Sequence, residues 1–163
     1  MQRLYLRVLA VVVGLALALG LAALAFAEGG GRYQLVVLGQ GDNERTFALE
    51  VATDETSRRG LRGRSSLARD GGLLVRLAKP AVLAYSTRYT NFPLDVLFLD
   101  EYQNITSIVS LQPNDDRLTA ASSATPVSGA LLLYGGTARR QGLYVGTHID
   151  LGHPPHQRDD ATD

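Results

Sequence analysis

Thr90-Asn91-Phe92-Pro93-Leu94-Asp95-Val96-Leu97-Phe98-Leu99-Asp100-Glu101-Tyr102-Gln103-Asn104-Ile105 is the stretch that decides the fold. It reads as a loop, a strand, a tight turn and the start of a second strand. Pro93 stiffens the entry, because its ring fixes φ and it offers no N–H to a ladder. Val96 to Leu99 is a short apolar run of the buried-strand type. Glu101-Tyr102-Gln103-Asn104 supplies turn chemistry before Ile105 opens the return strand to Leu111.

On either side of this hairpin the chain continues in short strands. Tyr33 to Leu38, then Arg45 to Val51, form a hairpin around Gln40-Gly41-Asp42-Asn43-Glu44. In the second arm Phe47, Leu49 and Val51 alternate with Thr46, Ala48 and Glu50, the period of a half-buried strand. Thr53 is an N-cap for a short helix ending at Arg59-Gly60. Gly72 to Leu77 and Ala81 to Tyr85 read as two strands around Lys79-Pro80. Gln112 to Gly129 reads as a long polar surface loop, Ala130 to Tyr134 as an apolar strand, and Gly136 to Gln141 as one helical turn. Leu143 to Leu151 is expected to close the sheet. Seven to eight short strands with one or two short helices predict a mainly β, β-rich α+β domain. It is expected to be compact, mostly antiparallel and partly closed like a small barrel.

Several pieces of this chain resemble the DUF192 family (UPF0127), a family without a settled activity. The resemblance spans roughly residues 47–151 and is carried by Gly60-Leu61-Arg62-Gly63-Arg64, Asp70-Gly71-Gly72-Leu73-Leu74, Pro93-Leu94-Asp95 with its strand, and Gly142-Leu143-Tyr144-Val145-Gly146. It implies the same β-rich fold. The family's usual Trp-Met-Lys-Asn, however, is replaced by Ser86-Thr87-Arg88-Tyr89, which keeps only the positive charge, at Arg88. Arg62 stands where the family has Met, and Thr147 where it has Asp. Any pocket shaped by those residues is therefore rebuilt in this member.

The N-terminus carries an address. Arg3 and Arg7 precede an uncharged run from Val8 to Ala27 that ends in Ala25-Phe26-Ala27 before Glu28 and three glycines. This is the pattern of a secretory signal peptide cut after Ala27. An uncleaved membrane anchor is the alternative, since the run is long enough to span a bilayer. Both place the domain outside the cytoplasm, in the periplasm or beyond. Residues 28–46 are a leader and first strand, and residues 152–163, with two histidines and two prolines, are expected to be a disordered tail.

Cleavage leaves 136 residues, enough for one domain with a real core. The chain has no Cys, so an exported domain must stand on packing without disulfides. The mature part holds 14 basic and 16 acidic residues, a net charge of −2, which argues against nucleic acid as a partner. No cofactor motif is present: there is no P-loop and no G-x-G-x-x-G after a strand.

The residues singled out for binding are Tyr85, Arg88, Tyr89 and Phe92, with Asp95 beside them. Arg88 would hold a small anionic ligand and the aromatic rings would wall its apolar body. Asp95 reads first as a structural acceptor for nearby backbone N–H groups or for Arg88, and second as a catalytic acid or base. Arg58, Arg59, Arg62, Arg64 and Arg69 form a basic cluster that reads either as an anion site or as a solvated face. His153 and His156 supply only two of the three or four fixed ligands a metal site requires. The leading expectation is an exported, non-catalytic accessory or small-ligand-binding domain. Behind it stand an envelope hydrolase that uses Asp95 and a membrane-anchored structural protein.

Overall fold

The central strands are buried on both sides, and their sequences show it. Leu94 to Leu99 is buried at every position, and so are Gly71 to Val75 and Gly129 to Leu133. Such continuous runs suit strands in the middle of a covered sheet rather than a half-solvated one. In the computed structural model, which describes residues 32–52, 59–115 and 121–151, these strands form the middle of a six-stranded sheet. The elements are β1 (Arg32–Leu38), β2 (Arg45–Val51), β3 (Gly71–Ala81), β4 (Ala84–Tyr85), β5 (Leu94–Leu99), β6 (Ile105–Leu111), β7 (Ala121–Ser122), β8 (Val127–Tyr134) and a one-turn helix α1 (Thr137–Arg140). The sheet order is β1-β2-β3-β8-β5-β6, and β4 and β7 pair separately.

The domain is thus mainly β with one short helix among the described residues. Its sheet is mixed: β2 and β3 run parallel, while the other neighbours are antiparallel. Two apolar layers follow from the pleat. Leu97, Leu99, Leu74, Leu131 and Leu133 face one side, with Ala138, Leu143, Ile149 and Leu151 laid over them. Leu94, Val96, Phe98, Leu73, Val75 and Leu132 face the other, covered by Leu61, Tyr85, Phe92 and Ala121.

Three local expectations are corrected. Of the two strands expected around Lys79-Pro80, the first runs on through Pro80 to Ala81 as β3, whose register against β8 shifts between Arg76 and Ala81, and the second shortens to β4 at Ala84–Tyr85. Pro80 falls in that shifted stretch, where its missing N–H breaks no ladder. The polar segment Gln112 to Gly129 contains β7 and the start of β8, with Ala121, Ser123 and Val127 buried. Its signal is hidden because Ser123 does a strand's work: its N–H donates to the Leu83 carbonyl, and its Oγ accepts from the Leu83 N–H at 3.0 Å. Leu143 to Leu151 is not a regular strand. It makes one isolated bridge, between Asn104 and His148, is tied to Gln103 and Ile105 by scattered hydrogen bonds, and lays Leu143, Ile149 and Leu151 on the core. The helix expected from Thr53 falls on residues 53–58, and the signal segment and tail on 1–31 and 152–163, all outside the described residues. No helix among the described residues is long and apolar enough to cross a membrane.

Candidate functional site

The rebuilt signature segment forms a tight corner. The Thr90 N–H donates to the Thr87 carbonyl at 2.8 Å, so Arg88 and Tyr89 sit at the apex of a turn. Both threonines are fully buried. The Thr87 hydroxyl donates to the Gln112 carbonyl and accepts from the Asp115 N–H. The Thr90 hydroxyl donates to the Leu61 carbonyl at 3.3 Å. These bonds clamp three chain segments together and leave the apex pointing outward. Ser86, where the family has Trp, is buried at 7 % exposure, so its neighbours have closed over the smaller side chain.

Tyr89 is the strained member of the corner. Its φ is 63°, a left-handed conformation that Gly or Asn adopts readily and a bulky residue does not. The residue is 65 % exposed. The Arg88 guanidinium carbon lies 5.2 Å from the ring centroid and that of Arg62 lies 5.9 Å away. Arg62 reaches this place because Gly60-Leu61 turns inward beneath it. Leu61 is buried in the core, and Gly60, at φ 60°, lies so close to Tyr85 that a Cβ would meet its ring at 2.9 Å. Neither Arg62 nor Arg88 has a carboxylate partner among the described residues.

The other expected binding residues separate from this apex. Tyr85 and Phe92 are core residues at 4 % and 5 % exposure, stacked on Phe98 and Tyr134 at 6.5 Å and 6.2 Å. They support the corner from below instead of walling a cleft. The Tyr85 hydroxyl is buried without a hydrogen-bond partner among the described residues, and burial pushes its pKa up to about 12. Within the basic cluster, Arg64 pairs with Glu50 at 2.6 Å and Arg69 stacks 4.1 Å over Tyr134. Arg59 is engaged elsewhere, and Arg58 lies outside the described residues, as do His153 and His156. Arg62 is the cluster member that joins Arg88.

Asp95 lies on the opposite side of the sheet. It alternates with Leu94 and Val96 along β5, so it shares a face with Leu97 and not with the Arg88 corner. It is 1 % exposed. One carboxylate oxygen accepts from the Ser110 hydroxyl at 2.7 Å and the other from the Ala138 N–H at 2.9 Å. That second bond satisfies an otherwise orphaned donor at the start of α1. Asp95 also forms part of the floor of a cleft of about 470 Å³ with Ser110, Arg139 and Leu143. Among the described residues no group of three His, Cys, Asp or Glu is placed to hold a metal ion.

Two features escape a reading of the sequence. The meeting of Arg62 with Tyr89 joins residues far apart in the chain, and nothing local announces it. Arg76 interrupts the apolar run of β3 and lines a second cleft; a lone charge inside such a run was the available signal.

Comparison with known proteins agrees with this architecture. A solved structure from Novosphingobium aromaticivorans DSM 12444, described as a protein of unknown function, superposes with a TM-score of 0.65 at 25 % identity, over 75 % of this chain and 87 % of that one. Another, from Sinorhizobium meliloti 1021 and described as a proposed transcription regulator, gives 0.64 at 26 % identity, over 75 % of this chain and 95 % of that one. No curated protein matches the chain. The model of the DUF192 family, described as an uncharacterized ACR, matches residues 36–151, from β1 to the end of the segment laid over the core, and the chain belongs to that family.

Proposed function

We propose that this chain is an exported, non-catalytic domain that binds a small anionic ligand at the Arg62–Tyr89–Arg88 corner. The observation that carries the reading is Tyr89: a bulky, exposed side chain at positive φ, within 5.9 Å of two guanidiniums that lack carboxylate partners among the described residues. Strain of this kind persists only where the surroundings over-determine it, and it clusters at ligand clamps. Two arginine forks suit a carboxylate or phosphate, and the exposed ring suits an apolar body. The engaged state of Asp95, with a donor on each oxygen, supports binding over catalysis.

A thermal-shift screen of a ligand library on residues 28–163 tests this. Anionic hits should lose their shift in Arg88→Ala and weaken about tenfold in Arg88→Lys, since Lys cannot grip bidentately. Tyr89→Asn should do the reverse to the empty protein: it relieves the backbone and stabilises it by about 1 kcal/mol while weakening the same hits. A folded Arg88→Ala protein that keeps every anionic hit removes the support for this reading.

Export is tested by intact mass. Protein recovered from outside the cytoplasm should lack its first 27 residues and begin at Glu28. Full-length protein retained in the membrane fraction would favour the anchored structural reading instead. The hydrolase reading retains one favourable observation, the cleft over Asp95.

A further inference from the structure

A second cleft opens on the same sheet face as Asp95, at the far end of β5. It lies beside the point where the register of β3 against β8 shifts, between Arg76 and Ala81, and holds about 260 Å³. Its lining includes the charged residues Arg76 and Asp100, the apolar residues Leu77, Leu99 and Leu151, and Ser128. That volume is below the roughly 300 Å³ at which drug-sized pockets begin, so an occupant must be small.

The two charges in this cleft are not paired with each other. Among the described residues Arg76 donates only through Nη2, to Gln34 Oε1 at 3.0 Å and to the Leu151 carbonyl. Both acceptors are neutral, and the N–H donors of Nε and Nη1 remain. Burial holds the guanidinium below the usual arginine value, the mark of a cation without a compensating anion. Asp100 spends Oδ1 on the N–H groups of Tyr102 and Asn104, at 2.9 Å and 2.8 Å. Its Oδ2 accepts once, from Asn104 Nδ2 at 3.1 Å, and has capacity for another donor. A half-buried cation and a half-buried anion that share one small cleft, and leave each other alone, call for a ligand that carries both charges.

We propose that this cleft binds a free α-amino acid with an apolar side chain: its carboxylate on Arg76, its ammonium on Asp100 Oδ2, and its side chain against Leu99 and Leu151. The site is separate from the Arg88 corner and does not rest on it. Binding requires no covalent step. Strict demand for both charged ends follows, because each would leave a desolvated partner unmatched if it were missing.

The test is calorimetric titration of the full-length chain with the twenty free amino acids, one at a time. At least one apolar amino acid should bind saturably. Its N-acetyl derivative, which lacks the ammonium, and its amide, which lacks the carboxylate, should each bind at least about tenfold more weakly. Arg76→Gln and Asp100→Asn should each show a loss of that size. Since Arg76 also ties Gln34 and Leu151, Ser128→Phe serves as a second variant that fills the cleft without touching those bonds, and it should abolish binding with an unchanged melting temperature. Arg88→Ala should bind as well as the parent. No saturable binding of any amino acid up to about 10 mM overturns the proposal. So does equal binding of the blocked derivatives, or binding that survives Ser128→Phe. Binding lost in Arg88→Ala but kept in Arg76→Gln would move the ligand to the other corner and overturn it too.

Discussion

Asp95→Ala should lower the free energy of unfolding by about 3 kcal/mol, since hydrogen bonds to charged groups contribute roughly 1.5–3 kcal/mol each and two are lost. The carboxylate is 1 % exposed and joins three elements. It sits on β5, receives the Ser110 hydroxyl from β6, and receives the Ala138 N–H from the first turn of α1. Truncation strands both donors. The Ala138 N–H suffers more, because that bond is buried and the helix has no other cap: Gly136 supplies no side-chain acceptor. Asp95→Asn keeps one acceptor oxygen and should cost about half as much. Urea denaturation of parent and variants measures both. If Asp95→Ala melts like the parent and instead abolishes an activity, the structural role is wrong and the hydrolase reading takes its place.

Phe98→Ala should be costlier still, by about 3–5 kcal/mol, the range for removing a fully buried phenylalanine. Phe98 is wholly inaccessible, one residue from the end of β5, and stacks on Tyr85 with ring centroids 6.5 Å apart. The cavity cannot collapse easily, because both faces of the central strands are covered. The neighbouring ring gives a contrasting expectation. Tyr85→Phe removes a buried hydroxyl that has no partner among the described residues, so it should be neutral or stabilising. A Phe98→Ala protein within 1 kcal/mol of the parent would mean that β5 is not the centre of the core.

The hairpin of β5 and β6 and the strands β1 and β2 were legible because their signals are local. Apolar run length, alternation and turn residues act over a few positions, and Arg32–Leu38, Arg45–Val51, Leu94–Leu99 and Ile105–Leu111 lie close to where those signals put them. Family membership was legible for the same reason, through short fixed motifs in order. Elements whose hydrogen bonds come from side chains or from distant segments were not. Ser123 ties itself to Leu83, so a polar segment supports a strand pair, and Leu143 to Leu151 follows β6 through scattered bonds that carry no alternation.

The sites divide along the same line. By itself the sequence determined which side chains bear charge or an aromatic ring, and that Arg88 keeps the family's positive charge. Tertiary structure alone decided their company. Alternation along β5 turns Asp95 away from Arg88, the clamp between Thr90 and Leu61 brings Arg62 to Tyr89, and the pairing of β3 with β8 beside β5 places Arg76 in a cleft with Asp100. The physical reason is that a strand's period assigns residues to one of two faces but does not say what will cover either face. Which segments pack there is settled by burial and pairing between residues remote in the chain, and those terms appear only when the whole domain closes.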